Sequence, residues 1–327
     1  MIRRPVLTAA ALLVLVTALA LAFGTEPISL ADALHEDGLA RTILLQVRLP
    51  RVALAAMAGA GLGVVGAAFQ ALLRNPLAEP YVLGVSGGAA LGATTAIALG
   101  LGATTLLGAA LIPAASLAGG LFATWLVYAV ARGMRGGASG TAILLAGVMV
   151  NSMAAALITF LKALVPPSRA QQLLRWLVGF VDLPHVSSLL AALVYVGVGC
   201  AVLLFDAGRL NVLVLGDETA GTLGVDVRSL ERRTFLASSC VVGAIVSLTG
   251  LIGFVGLVVP HAVRRLIGPD QRRVLPVSLI SGAAMLIGCD LVARLAFRSL
   301  GTEPPVGAVT ALIGGPAFLV LLRRSGG

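Results

Sequence analysis

The sequence predicts an all-α integral membrane protein of ten transmembrane helices with both termini cytoplasmic. Three observations carry that prediction. Hydrophobic residues make up 58% of the 327 positions and glycine supplies 40 more, a composition with little polar surface to offer water. Charged residues are only 11% and mean hydropathy is +1.03. The charges also fall between apolar runs of about 20 residues, the length a helix needs to cross hydrocarbon with its backbone amides satisfied internally.

Taken in order, the first run, 5–24, follows Arg3 and Arg4. It exceeds the roughly 7–15 apolar residues of a signal peptide, so it reads as a retained span. Runs 52–73, 142–164, 186–205, 274–297 and 305–322 each read as one crossing. Two stretches are too long for one. Residues 81–131 hold no charge and divide at Gly100-Leu101-Gly102, and residues 235–263 divide near Gly250, Gly253 and Gly256. Residues 1–327 thus form a single transmembrane domain with one long polar loop, 206–232.

The basic residues agree with this count, because Lys and Arg in short loops favour the cytoplasmic side. The alternation puts 15 of them inside, including Arg3, Arg4, Arg323 and Arg324, and 8 outside, which recovers all 23. The net charge of +9 is therefore membrane topology and not a nucleic-acid surface. Glycines recur at helical spacing, at Gly59 and Gly63 and at Gly84, Gly88 and Gly92, a pattern that lets helix backbones approach closely in lipid.

Other chemistries are excluded. Lys162 is the single lysine and stands in an apolar run, so there is no Walker A loop and the chain is not itself an ATPase. Cys200, Cys240 and Cys289 lie in apolar runs, and His35, His185 and His261 are far apart, so no metal-ligand spacing exists. No catalytic, cofactor-binding or metal site is expected.

Loop 206–232 is neither a span nor a disordered tail. Asp217 and Glu218 suit the positive end of a short helix and Gly224 suits its stop. Val214, Leu215, Ala220 and Leu223 could then offer an apolar knob to a cytoplasmic partner.

Several segments together resemble the permease subunits of type II ABC importers, the family that takes up vitamin B12, ferric siderophores and haem. They are Arg48-Leu49-Pro50-Arg51, Asn75-Pro76-Leu77-Ala78-Glu79-Pro80 with Leu83-Gly84-Val85-Ser86, and Leu144-Leu145-Ala146-Gly147-Val148. Further on come Leu215-Gly216-Asp217-Glu218-Thr219-Ala220 with Leu223-Gly224-Val225, Gly253-Phe254-Val255-Gly256, Asp290-Leu291-Val292-Ala293-Arg294 and Pro305-Val306-Gly307.

The resemblance implies ten helices, a homodimer, two ATP-binding cassette subunits that hold the ATP and Mg, and an extracytoplasmic substrate-binding protein. It implies that Gly216, Asp217, Glu218, Thr219, Ala220, Leu223 and Gly224 form the coupling helix that enters the ATPase. It makes Gly140 and Thr141 the cytoplasmic gate, with glycine at the first departing from the small hydroxyl residue of the vitamin B12 permease. It makes Arg48, Arg51 and Arg294 the outer arginines that receive glutamates of the binding protein. Asn151 is the candidate polar side chain on the pathway, and ferric siderophore is the expected cargo, with cobalamin and haem open. The chain is expected in the bacterial cytoplasmic membrane.

Two alternatives have a footing in the sequence. Gly84-Val85-Ser86-Gly87 has the form of a GxSG nucleophile, with His261 as a conceivable base for intramembrane proteolysis. An ion-coupled carrier would need ionisable groups in mid-membrane; Asp290 and Arg294 fall near a span end, which weighs against it.

Overall fold

The structure, a computed structural model, describes residues 3–29, 33, 38–81, 84–101, 106–133, 140–183 and 186–323. Among these, regular structure is helical throughout. The helices are α1 (Arg3–Ala22), α2 (Leu39–Leu72), α3 (Val85–Ala98), α4 (Leu106–Gly133), α5 (Gly140–Leu164), α6 (Pro167–Val178) and α7 (Val186–Phe205). They continue as α8 (Ala207–Leu213), α9 (Asp217–Thr222), α10 (Val227–Thr249), α11 (Val255–Ile267), α12 (Gln271–Leu300) and α13 (Val306–Arg323).

Among the described residues, six helices are long and apolar enough to cross a membrane: α1, α2, α4, α5, α7 and α12. α3 and α13 are shorter apolar helices. Length and hydropathy alone therefore do not reach ten crossings. The reason lies in the remaining pair: α10 carries Arg228, Glu231, Arg232 and Arg233 in its first turns, and α11 has 13 residues, about 20 Å of helix. The break predicted within 235–263 falls at Gly250–Phe254, where Gly250 (φ +66) ends α10. Part of the other predicted break, Gly102, lies outside the described residues.

The second helix begins at Leu39, well before the predicted position 52. Pro50 cannot donate to the carbonyl of Gln46, and the ladder there widens into a π turn over Ile43–Arg48. Polar residues kept this stretch out of the apolar run, although it is helical.

α2 and α12 form the centre and run antiparallel with almost no gap between their backbones. A Cβ added to Gly59 would lie 2.2 Å from the Gly282 carbonyl oxygen, and one on Gly63 would lie 2.4 Å from that of Ser278. α3 and α4 repeat the arrangement, with Gly88 against Gly119 and Gly92 against the Ala115 carbonyl at 2.0 Å. Gly59, Gly63, Gly88 and Gly92 are thus helix-crossing points, which replace the hydrophobic drive that lipid does not supply, whereas Gly84 (φ +83) stands just before α3 and is not on the crossing face. α11 packs on α2 in the same way, with Gly66 facing Gly256. α5 and α7 cover the outside with exposed Met149, Met153, Leu157 and Phe160, and Leu190, Leu193 and Val194.

Candidate coupling surface and buried arginine cluster

At one end of the bundle, loop 206–232 folds into α8 and α9. Gly216 (φ +114) and Gly224 (φ +82) bracket α9, a backbone conformation that a side chain would strain. Asp217 and Glu218 occupy its first turn, as predicted. Leu215 and Leu223 are 64% and 61% exposed, and Val214 also faces out. Ala220 does not belong to this apolar knob: it is fully buried on the face turned to the bundle, and its small size lets α9 lie down. Thr219 accepts, through its carbonyl, from the hydroxyl of Thr222 at 2.9 Å and stabilises the single turn.

Polar bonds moor this loop to three helices. Arg74, just past α2, pairs through Nη2 with Asp217 Oδ1 at 2.7 Å. The buried Asp206 pairs with Arg209 and with Arg233 of α10. Asn211 donates to Asp270 Oδ1 at 2.6 Å and accepts from the Gln271 N–H at 2.6 Å. The Asn211 hydrogen bond, ahead of the opposing cost of burial, holds the Asp270 carboxyl below the usual carboxylate range.

At the opposite end the three predicted arginines converge, but inward. Asp290 is fully buried, and Arg51 and Arg294 both reach it at 2.9 Å. Arg51 also pairs with Glu303. Arg48 and Arg294, each 3% exposed, spend other donors on the exposed carbonyls where α1 ends. Arg48 donates to Leu21, Ala22 and Glu26 at 2.6–2.7 Å. Arg294 donates to Ala20 and Phe23, and Arg298 to Gly24. The last carbonyls of a helix lack partners within it and carry its negative pole, so cations there stabilise it. The expectation that Arg48 and Arg294 present themselves to an acidic partner is corrected on this ground: both are buried, Arg48 turned to the carbonyls at the end of α1 and Arg294 to those carbonyls and Asp290.

The remaining predicted residues are also placed. Gly140 and Thr141 open α5, and their side chains lie outside the described residues. Asn151 is half-buried and seated on α3, its Oδ1 2.1 Å from where a Gly87 Cβ would stand, whereas the open face of α5 carries Met149 and Met153. Ser86 is fully buried and its hydroxyl has no hydrogen-bond partner in the structure. His261 meets the Phe318 ring edge-on at 5.7 Å. A serine and base joined by a hydrogen bond, the signature of an activated nucleophile, is not formed here. Among the described residues no group of three His, Cys, Asp or Glu could hold a metal ion.

Two polar residues from elsewhere in the chain satisfy the backbone of α11. Pro260 lacks the N–H that would bond the Gly256 carbonyl within α11, and Gln70 Nε2 supplies a donor to Gly256 and Leu257 instead, at 3.2 Å each. Glu79 accepts from the Phe254 N–H at 2.7 Å and caps α11 from another part of the chain. The proline four residues after Gly256 was the available signal for the first; none marked the second.

The glycine-packed helical bundle with a moored, apolar-tipped loop at one end is that of a multi-pass membrane protein, a transport permease subunit of an ABC importer. Residues 12–324 match the FecCD transport family, and the chain belongs to that family. It is 46% identical over 286 residues to the cobalamin import system permease protein BtuC of Halobacterium salinarum, covering 87% of this chain and 74% of that one. It is 36% identical over 337 residues to the Fe(3+) dicitrate transport system permease protein FecC of Escherichia coli K12, covering 99% of each. Among solved structures, a metal-chelate type ABC transporter in an inward-facing conformation superposes with TM-score 0.86 at 30% identity, over 99% of this chain and 100% of that one.

Proposed function

We propose that this chain is the membrane subunit of a homodimeric, ATP-driven importer of a metal chelate, with ten crossings per subunit and cobalamin as the first cargo to test. The 46% identity to a cobalamin permease supports testing cobalamin first, beside the ferric siderophore expected from sequence. A ferric chelate is the second reading, favoured by the end-to-end likeness to FecC.

In this reading two separate ATPase subunits, which hold the ATP and Mg, receive Leu215 and Leu223 beside Gly216–Gly224. An extracytoplasmic binding protein docks at the other end. There the partly exposed Arg51, between Asp290 and Glu303, and the exposed Arg298 carry the positive charge that steers an acidic partner. Gly140 and Thr141 form the inner gate, and Asn151 lies beside the pathway where α5 meets α3.

The test is uptake of labelled cobalamin by proteoliposomes containing this chain, its ATPase and its binding protein. Uptake is expected only with ATP inside the compartment that corresponds to the cytoplasm. Uptake by the chain alone, driven by a proton or sodium gradient, would sink the importer reading. Leu223→Asp is expected to weaken ATPase binding about tenfold, roughly 1.4 kcal/mol, as measured by co-purification titration.

A further inference from the structure

Two non-glycine residues among those described adopt left-handed backbone, Arg74 (φ +49) and Phe254 (φ +70). Neither is an Asn or Asp, the types that tolerate this region, and such outliers persist only where the surroundings over-determine them. Arg74 closes α2, with the next N–H, that of Asn75, bonded back to the Gln70 carbonyl, and each of the two residues also meets a carboxylate. Arg74 pairs with Asp217 of α9, and the Phe254 N–H donates to Glu79.

The two are joined by one short piece of chain, 75–79, and that piece is stiff. The Asn75 N–H donates to the Gln70 carbonyl at 3.2 Å, and the Ala78 N–H to the Asn75 carbonyl at 3.1 Å. The Asn75 side chain accepts from the Leu77 N–H at 2.9 Å, closing an Asx turn. Pro76 and Pro80 fix φ on both sides, and Ala78 is fully buried. Beyond the break, the Phe254 side chain rests on α13: a Cβ on Gly314 would lie 2.6 Å from Phe254 Cβ and 3.0 Å from Cγ of its ring.

We propose that segment 74–79 is a strut that transmits movement of α9 to the break between α10 and α11, and through Phe254 to α13. The strut rests on the reading of loop 206–232 as the ATPase-coupling surface. Arg74 and Asp217 are both substantially exposed, and an exposed ion pair adds little static stability, so its contribution is directional. At the far end, the break Gly250–Phe254 is the segment able to shift, because it lacks the ladder that stiffens the helices on either side. Glu79 and Arg74 are therefore positioning residues, acting on the bundle through Phe254 and Asp217.

The experiment uses the chain assembled with its ATPase subunits in nanodiscs, with Cys200, Cys240 and Cys289 changed to alanine and Leu251→Cys as reporter beside the break. The rate of maleimide labelling at position 251 is compared without nucleotide and with ATP and vanadate. The parent is expected to change severalfold. Arg74→Glu and Glu79→Leu are expected to lose most of that change while the ATPase still co-purifies. Arg74→Glu combined with Asp217→Arg restores it, and Glu79→Gln, which keeps an acceptor for the Phe254 N–H, retains it. A nucleotide effect that survives both Arg74→Glu and Glu79→Leu overturns the strut, as does a parent with no effect. Failure of the ATPase to co-purify with the parent overturns the coupling reading itself.

Discussion

Asp290→Ala is expected to destabilise the folded chain by about 3–5 kcal/mol, the cost of stranding buried charge by removing one partner of a buried ion pair. Asp290 is fully buried and accepts both Nε and Nη2 of Arg51, at 3.0 and 2.9 Å, while Arg294 approaches its other oxygen at 2.9 Å. Its loss leaves Arg294 without a carboxylate and Arg51 with Glu303 alone. Asp290→Asn keeps an acceptor without the charge and is expected to fall between alanine and the parent. The thermal midpoint in detergent, read with the monodisperse fraction on size exclusion, measures both. An Asp290→Ala protein as stable as the parent would show that water reaches the cluster and solvates the guanidiniums.

Gly66→Ala is expected to cost about 3 kcal/mol, at the upper end of what overpacking usually costs. The added Cβ would stand 1.9 Å from the Gly256 carbonyl oxygen and 2.6 Å from its Cα. Both obstacles are backbone, so no side chain can rotate aside and the two helices must separate. That separation also lengthens the Gln70 bonds to Gly256 and Leu257, which lie on the same contact. Gly197→Ala is the control, because nothing lies within 4 Å of its added Cβ. It is expected to change stability by less than about 0.5 kcal/mol, as for surface positions generally. Equal midpoints for the two variants would remove the argument for backbone contact between α2 and α11.

These effects mark what can be read from sequence. Gly59, Gly63, Gly88 and Gly92 were legible as helix contacts because their spacing matches a helical face. Their partners Gly282 and Gly119 were not, since nothing periodic ties positions more than two hundred residues apart in the first pair. Loop 206–232 was legible through its mixed composition and the acidic pair Asp217 and Glu218. Only folding revealed that Ala220 turns inward. Charge alternation put Arg48, Arg51 and Arg294 on one side, and the structure gathers them at the end opposite loop 206–232. Their direction was missed because Asp290 lies 239 positions from Arg51, and the α1 carbonyls that Arg294 caps lie 271 and 274 positions away. Glu79 stood within the Asn75–Pro80 motif without a role; its partner is a backbone N–H, which no side-chain pattern announces.

The capping of α1 also sets an order of assembly. α1 ends in carbonyls whose donors come partly from Arg48, 26 and 27 positions on, and partly from Arg294 and Arg298, 274 positions on. During translation α1 can lean on α2, but its closure waits for α12 to enter the membrane. A chain that stopped before α12 would leave α1 only partly capped.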